Sequence, residues 1–223
     1  MMTRIASCLP FALIFVCTSR SASIKEDSSP SGLYEEEEAN FCHQNASDAV
    51  QITGKIYVIK QNFNSSLPPQ CDYAERVARI NETYYIFTLG AVVPNVSNIL
   101  VKFNTSFVLS KTGSHDEYNA MTYIYATTEP PKLRKLMYLS PTNKCMIFVD
   151  DRNSTEETAR CQLLMPAAFA NETIPGDCDT VYRNNCGGGV ELQVYQPSCQ
   201  GLPEIPLTVL LQKMATTAAP KQC

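Results

Sequence analysis

Residues 83–109 read TYYIFTLGAVVPNVSNILVKFNTSFVL, two runs rich in β-branched and aromatic residues joined by a turn that contains Pro94 and Asn95. Apolar runs of this kind, bounded by proline, glycine, asparagine or serine, are typical of short β-strands. A connection this short holds no crossover helix, so the two strands should pair antiparallel. The stretch therefore predicts two neighbouring strands of an antiparallel sheet.

The same pattern continues on both sides of this pair of strands. The intervals between the runs hold no helical pattern of about 10–15 residues, which excludes an alternating β/α fold. An eight-stranded sheet closed into a barrel leaves an interior wide enough for one small ligand. The sequence thus predicts an all-β fold, an eight-stranded antiparallel barrel. The predicted strands are 55–63, 73–80, 83–91, 99–109, 118–126, 133–139, 144–149 and 160–165.

Three segments outside the strands read as helical. Residues 175–186 begin with Pro175, carry acidic residues in the first turn and are followed by glycine, which predicts a short C-terminal helix outside the barrel. Residues 206–214 form a second amphipathic stretch, which could pack outside the barrel. Residues 48–52 predict a helical turn with Asn45 or Ser47 as its cap.

The N-terminus has the features of a secretory signal peptide. Arg4 precedes an apolar run over residues 5–17, and small residues at 19–23 offer a cleavage site. The run is too short to cross a bilayer. Residues 1–22 are therefore predicted to be a signal peptide, which makes the protein secreted and extracellular without a membrane anchor.

The residues after the signal peptide are polar and acidic. Residues 23–40 have too few apolar side chains to form a core, which predicts a disordered acidic leader before a barrel domain at 41–203 and a C-terminal tail at 204–223. The acidic run at 35–38 is interpreted as solvated. A second interpretation is that Tyr34, beside these acids, becomes sulfated and contacts a basic protein.

The chain contains 10 cysteines, of which Cys8 and Cys17 lie in the signal peptide. Eight cysteines can form four disulfides, with 105 possible connectivities. A zinc site is disfavoured, since no C-x-x-C pair occurs and His43 and His115 are the only histidines. We expect no metal. The remaining cysteines are Cys42, Cys71, Cys145, Cys161, Cys178, Cys186, Cys199 and Cys223.

Seven N-x-S/T sequons predict a heavily glycosylated surface. Each sequon also marks an exposed turn or strand end, because a glycan cannot be buried in the core. The acceptor asparagines are Asn45, Asn64, Asn81, Asn95, Asn104, Asn153 and Asn171.

Charge and motif content exclude several functions. The formal charge is −4 and no basic cluster occurs, so neither nucleic acid nor a membrane surface is an expected partner. His43 and His115 stand in polar stretches without a nucleophile motif. Residues 187–189 are three glycines that follow a helix, where they cannot hold a phosphate at a helix N-terminus. The sequence predicts no catalytic residues and no cofactor.

The C-terminal half resembles a known family. Residues 144–149 read KCMIFV, 160–165 read RCQLLM, 177–188 read DCDTVYRNNCGG and 191–199 read ELQVYQPSC. The order and spacing are similar to those of the tick salivary lipocalins, the histamine-binding family. The resemblance implies a lipocalin-like barrel that is secreted in saliva, is monomeric and binds a small molecule.

The resemblance also implies a disulfide pattern. It joins Cys71 to Cys199, Cys145 to Cys178, and Cys161 to Cys186, and leaves Cys42 to pair with Cys223. The N-terminal half departs from the family: Asp48-Ala49-Val50 stands where many relatives have Asp-Ala-Trp, and the chain has no tryptophan.

Family members that bind amines carry a cysteine–aspartate pair and a Glu-Leu-Trp or Glu-Leu-Tyr motif. Here Met146 and Gln162 occupy the positions of the two acids. Glu75 could replace them, as could Asp150 or Asp151. An otherwise apolar pocket with tyrosine hydroxyls and one arginine, Arg76 or Arg79, would suit a fatty acid or eicosanoid. The candidate ligand-binding residues are Tyr57, Glu75, Arg76, Phe87, Tyr123, Tyr125, Met146, Gln162 and Leu164.

These expectations lead to one predicted function and two alternatives. The first is sequestration of a small host mediator during blood feeding, which would modulate host inflammation or haemostasis, with a lipid such as a leukotriene ranked slightly above histamine or serotonin. The second is inhibition of a host protein (complement, chemokine or protease) through the outer surface or the acidic leader. The third is a structural barrel filled by its own side chains.

Overall fold

Eight strands close into a barrel in the computed structural model, which describes residues 32–94, 96, 98–127 and 129–218. Consecutive strands pair antiparallel, and the ring closes because the first strand pairs with the eighth and the fourth with the fifth. The predicted eight-stranded antiparallel barrel is therefore confirmed. The strands are β1 (Lys55–Gln61), β2 (Tyr73–Arg79), β3 (Tyr84–Val92), β4 (Leu100–Ser110), β5 (Ala120–Tyr123), β6 (Lys132–Leu139), β7 (Met146–Asp150) and β8 (Cys161–Pro166).

The barrel has apolar side chains on both faces, which explains strands without clean polar alternation. On β3, Phe87 belongs to the inner cluster of buried residues together with Phe107 of β4. On β1, Tyr57 belongs to a second buried cluster with Tyr195 of the C-terminal segment. The outer face of this part of the barrel is thus covered by protein rather than by water, as apolar side chains on both faces require.

The C-terminal half packs outside the barrel. Helix α2 (Gly176–Asn185) contacts β6, β7 and β8, which confirms the predicted short helix. Strand β9 (Leu192–Gln193) pairs with β1. Strand β10 (Glu204–Pro206) pairs parallel with β4 and leads into helix α3 (Leu207–Ala218).

The two ends of the barrel differ. Helix α1 (Ala46–Ala49) closes one end, and the side-chain oxygen of Asn45 caps it by accepting hydrogen bonds from the amides of Ser47 and Asp48. The loops between β1 and β2 and between β5 and β6 lie at the other end, together with the start of β4. This second end is the open end of the barrel.

Part of the acidic leader is ordered, so the prediction of disorder for residues 23–40 is wrong for residues 32–40. Two 3₁₀ turns, Tyr34–Glu36 and Glu38–His43, lie against β6. The Glu35 carboxylate is fully buried and accepts hydrogen bonds of 2.7 and 3.0 Å from Nε and Nη2 of Arg152. Amino-acid composition cannot predict this ion pair, because Glu35 and Arg152 are 117 residues apart in the sequence.

Three disulfides connect the barrel to its C-terminal cover, and they are the pairs that the family resemblance implied. They are Cys71–Cys199, Cys145–Cys178 and Cys161–Cys186. Cys42 is exposed and has no disulfide partner among the described residues. The expected partner, Cys223, lies outside those residues, as do the signal peptide and the sequon at Asn95.

The other sequons lie at the surface of the described chain. Asn45 is half-buried as the cap of α1. The remaining five acceptor asparagines are exposed: Asn64, Asn81, Asn104, Asn153 and Asn171. None of the helices in the described ranges has the length and apolar character of a membrane span.

Candidate functional site

The barrel encloses a cavity of about 310 Å³ that reaches from the open end to the helix that closes the barrel. Ala49 and Val50, at the end of α1, form its floor, and Leu67 and Leu207 lie at its mouth. The volume falls at the lower end of the range for small-molecule sites. A barrel filled completely by its own side chains, the third alternative, does not fit this cavity.

An aromatic stack forms one side of the cavity. The rings of Phe87 and Phe107 stack with centroids 4.3 Å apart, and those of Phe107 and Tyr123 with centroids 4.2 Å apart. The three residues come from β3, β4 and β5, which are neighbours in the barrel. Their side chains point the same way because each occupies an inward position of its strand.

A buried carboxylate lies in the wall of the cavity near the open end. Asp72, just before β2, is only 6% exposed. Its Oδ2 accepts a 2.9 Å hydrogen bond from the hydroxyl of Tyr125, and its Oδ1 accepts one of 3.2 Å from the backbone amide of Gln70. Among the described residues no ion pair involves Asp72.

Burial dominates the ionisation of this pair. Burial raises the pKa of Asp72 to about 6, although the hydrogen bonds from Tyr125 and Gln70 act in the opposite direction. Burial and the nearby Asp72 carboxylate together raise the pKa of the Tyr125 hydroxyl far above its usual range, so this hydroxyl stays a donor. At neutral pH the cavity wall therefore carries a carboxylate that is mostly ionised and that has no cationic partner in the part of the chain that the structure describes.

A buried arginine lies in the same end of the cavity. Arg134 of β6 is 4% exposed, and its Nε donates a 2.8 Å hydrogen bond to Oδ1 of Asp150. Its Nη1 donates to the hydroxyl of Tyr123 at 3.1 Å and to Oε1 of Gln162. Burial acts to lower the pKa of this guanidinium, but Tyr123 and Asp150 outweigh that effect and raise it, so Arg134 remains cationic. Arg134 is thus held by Asp150, Tyr123 and Gln162, and among the described residues it forms no ion pair with Asp72.

Most of the candidate residues named from the sequence line the cavity. The fit follows from the two-residue period of the strands, since Met146 pairs with Leu164 across β7 and β8 and Gln162 lies two residues before Leu164 on the same face. The candidates that line the cavity are Phe87, Tyr123, Tyr125, Met146, Gln162 and Leu164.

Three candidates lie elsewhere, so their predicted positions in the cavity are corrected. Tyr57 is buried in the outer cluster, with its ring centroid 4.9 Å from that of Tyr195. Glu75 lies on the face of β2 opposite to the cavity-lining Ala74. Arg76 donates hydrogen bonds of 2.9 and 2.8 Å to the carbonyl of Val50 and to Oε1 of Gln51, and so holds the floor of the barrel.

Sequence reasoning missed the two charged residues that do line the cavity, Asp72 and Arg134. Asp72 directly follows Cys71, and the disulfide to Cys199 fixes Cys71 against the barrel. This neighbouring disulfide was the sequence signal that could have identified Asp72. Arg134 stands in a strand beside Lys135, which is also buried, so the local pattern gives no sign of which one points inward. Asp150, proposed as a replacement acid, lies beside the cavity as the partner of Arg134.

One group of side chains in the described part of the chain has metal-ligand proximity: Cys145, Asp177 and Cys178. Both sulfurs are bonded to each other, so neither is a thiolate. These residues do not fit a metal site.

A closed eight-stranded antiparallel barrel with an apolar cavity and a few polar groups at one end defines a lipocalin-type ligand-binding protein. Comparison with protein families gives a more specific assignment. The family described as tick histamine binding protein matches residues 34–201. The chain belongs to this family. A search of curated protein sequences finds no match.

Solved structures with similar folds are distant in sequence. A structure described as the AM182 serotonin complex superposes with a TM-score of 0.50 at 15% identity, covering 81% of this chain and 100% of that one. Insecticyanin from the tobacco hornworm Manduca sexta gives a TM-score of 0.51 at 10% identity, over 74% of this chain and 90% of its own. Japanin from Rhipicephalus appendiculatus bound to cholesterol gives 0.47 at 12% identity, over 65% and 95%. At these identities the likeness concerns the fold.

Proposed function

We propose that this protein binds a small aromatic amine in its cavity, with the carboxylate of Asp72 as the counter-ion of the ammonium group. The observation that carries the proposal is a buried cavity-lining carboxylate without a cationic partner among the described residues. An unpaired buried charge costs several kcal/mol, and a bound ammonium group removes much of that cost. The carboxylate of Asp72 therefore favours the binding of a cation in the cavity.

The aromatic stack supports an aromatic amine over an aliphatic one. Phe87, Phe107 and Tyr123 present flat apolar surfaces within the same cavity as Asp72. Aromatic rings bind other rings by stacking and bind ammonium groups through cation–π attraction. Histamine and serotonin both combine a ring with an ammonium group. The serotonin described for the AM182 structure is consistent with such a ligand for this barrel.

Binding without turnover is the expected activity. Family membership supports small-molecule binding, and the charged groups of the cavity, Asp72 and Arg134, are engaged in hydrogen bonds with Tyr125 and Asp150. Such a protein would be secreted in saliva and would sequester a host mediator at the feeding site. Stoichiometric capture would then reduce host inflammation or haemostasis.

A lipid is the second candidate ligand. The walls of the cavity are mostly apolar, and its mouth carries the half-exposed Leu67 beside Pro68 and Pro69. This surface favours an alkyl chain or a polyene. The sequence alone, which lacks the two acids of the amine-binding family members, favours a lipid ligand slightly over an amine ligand. Asp72 reverses that order for a ligand whose polar group lies beside it, because its carboxylate attracts an ammonium group and repels a lipid carboxylate.

Inhibition of a host protein through the acidic leader has less support. Glu35 is buried against Arg152, and Glu36 lies 2.7 Å from Nζ of Lys135. Tyr34 packs against the outer core cluster, and its backbone carbonyl accepts a hydrogen bond from Asn40. Tyr34, Glu35 and Glu36 are therefore engaged by the barrel, which leaves fewer groups of the leader to bind a basic partner.

The test is direct ligand binding by the secreted, deglycosylated protein. Native mass spectrometry is followed by calorimetric titration with serotonin, histamine and arachidonate under one set of conditions. The proposal predicts one-to-one binding of at least one of the amines, with weaker binding of arachidonate. Retention of a lipid that amines cannot displace would contradict the proposal and support the second candidate.

A further inference from the structure

A second, smaller pocket of about 90 Å³ lies beside the cavity, and we name it the side pocket. It is lined by residues of the loop after β1, of the loop between β5 and β6, of the start of β6, of the end of β7 and of the start of β8. Tyr125, Arg134 and Gln162 line both spaces and form the partition between them. Its volume suits a group of a few heavy atoms.

One nitrogen of the buried Arg134 has no partner at this partition. Nε and Nη1 of its guanidinium are bound by Asp150, Tyr123 and Gln162. Nη2 is buried and makes no hydrogen bond with any residue of the described ranges. A guanidinium has five N–H donors, and buried donors are normally satisfied. The free Nη2 therefore indicates a missing acceptor.

The acids around the side pocket are already occupied. Both oxygens of Asp150 are used, Oδ1 by Nε of Arg134 and Oδ2 by Nε of Arg160 at 3.0 Å. Glu129 pairs with Lys132 at 2.9 Å and accepts a hydrogen bond from Ser66. One carboxylate thus serves two guanidinium groups, which leaves the lining with a surplus of positive charge.

From this geometry we infer that the side pocket binds a carboxylate group, which accepts hydrogen bonds from Nη2 of Arg134 and is attracted by Arg160 and Lys132. A carboxylate supplies both the acceptor and the negative charge that the lining lacks, and guanidinium–carboxylate pairs are the stronger kind of hydrogen bond. The inferred carboxylate ligand contacts Arg134 and not Asp72, and a ligand whose chain extends into the cavity would compete with the amine proposed there.

The carboxylate could come from two sources. A small free carboxylate would fill the side pocket alone. The head group of an amphiphile would enter it from the cavity, past the partition, with the apolar chain remaining in the cavity. Both sources place a carboxylate on Arg134. Binding of two carboxylates, one with and one without an alkyl chain, distinguishes the two sources.

The experiment uses the full secreted protein and carboxyl-¹³C-labelled acetate and octanoate, observed by ¹³C NMR at constant ionic strength. We expect a saturable bound carboxyl resonance that the variant Arg134→Gln loses. Because removal of Arg134 leaves Asp150 without its buried partner, this variant could fail to fold. A second variant, Lys132→Glu, alters the charge of the side pocket from a side chain that is 41% exposed. We expect it to weaken carboxylate binding at least fivefold.

Lys144→Glu is the matched control. Its side chain is 39% exposed and is paired with one acid, Glu172, but it lies beyond the opposite end of β7. Binding of both ligands supports a site for small free carboxylates, and binding of octanoate alone supports a head-group site. Absence of a saturable resonance for either ligand would overturn the inference. Equal affinity of Lys132→Glu and Lys144→Glu would also overturn it.

Discussion

The hydroxyl of Tyr125 donates a 2.9 Å hydrogen bond to Oδ2 of Asp72 inside the barrel. The two residues come from different loops at the open end, and together they place one buried negative charge in an apolar cavity. The bond orients the carboxylate, and Oδ1 is held by the amide of Gln70. The ligand proposal depends on this pair.

The first prediction concerns the pH dependence of amine binding. Since burial raises the pKa of Asp72 to about 6, the carboxylate is ionised at pH 7.4 and becomes protonated as the pH falls through about 6. Serotonin affinity should therefore fall about tenfold for each pH unit below 6. Calorimetric titrations between pH 5 and 7.4 measure this dependence. An affinity that is constant over this range would mean that Asp72 is not the counter-ion.

The second prediction concerns the stability of the unliganded protein. Folding raises the pKa of Asp72 from 3.8 to about 6, so the protonated form contributes stability that is complete below pH 3.8 and is lost as the pH rises through about 6. At pH 7.4 the loss amounts to about 3 kcal/mol. The variant Asp72→Asn should thus be more stable than the wild type at pH 7.4 by up to this amount. Urea unfolding at pH 7.4 and pH 4 should show the gain at the higher pH and little of it at the lower.

The third prediction concerns the ordered leader. Truncation of the fully buried Glu35 leaves Arg152, whose side chain is 11% exposed, without its carboxylate. Breaking a buried ion pair costs about 3–5 kcal/mol. Glu35→Ala should lower the free energy of unfolding by an amount near this range, whereas Glu38→Ala, at an exposed position of the same segment, should change it by less than about 0.5 kcal/mol. Similar unfolding midpoints for both variants would show that the leader does not stabilise the barrel.

The fourth prediction compares two disulfides. Cys71–Cys199 closes a loop with a separation of 128 residues, and Cys161–Cys186 one of 25. All four cysteines are buried, so replacement of each pair by alanine removes similar packing. Loop-closure entropy predicts that removal of the first disulfide destabilises the protein more, by about 1.5 kcal/mol. Denaturant unfolding of the two double variants tests this order, and the reverse order would show that native packing outweighs loop length.

More of the fold than of the candidate ligand site could be predicted from the sequence. All eight predicted strand runs overlap the observed strands, because the alternation of apolar runs with turn residues depends on local geometry alone. The three disulfides came from family resemblance, since spacing leaves the pairing open. The ordered leader was missed because the partners of Glu35 and Glu36 lie far away in sequence.

The charged part of the site required the structure. Met146 and Gln162, which line the cavity, could be named from the sequence because the family resemblance puts them at the positions of the two acids of amine-binding members. Glu75 was one of three acids, with Asp150 and Asp151, that could replace the two lost carboxylates, but strand parity directs Glu75 away from the cavity, and the acid that lines the cavity is the loop residue Asp72. Loop residues have no periodicity from which their direction could be predicted. The inward orientation of Arg134 depends on its pairing with Asp150 across two strands.

The most direct test of the account is calorimetric titration of serotonin into the wild type, Asp72→Asn and Glu75→Gln at pH 7.4. Glu75→Gln is the matched control, because it removes an acid of the neighbouring strand that does not line the cavity. The account predicts that Asp72→Asn weakens binding by about 10- to 100-fold, as expected for loss of a charged hydrogen bond, while Glu75→Gln binds like the wild type. Wild-type affinity in Asp72→Asn would contradict the account.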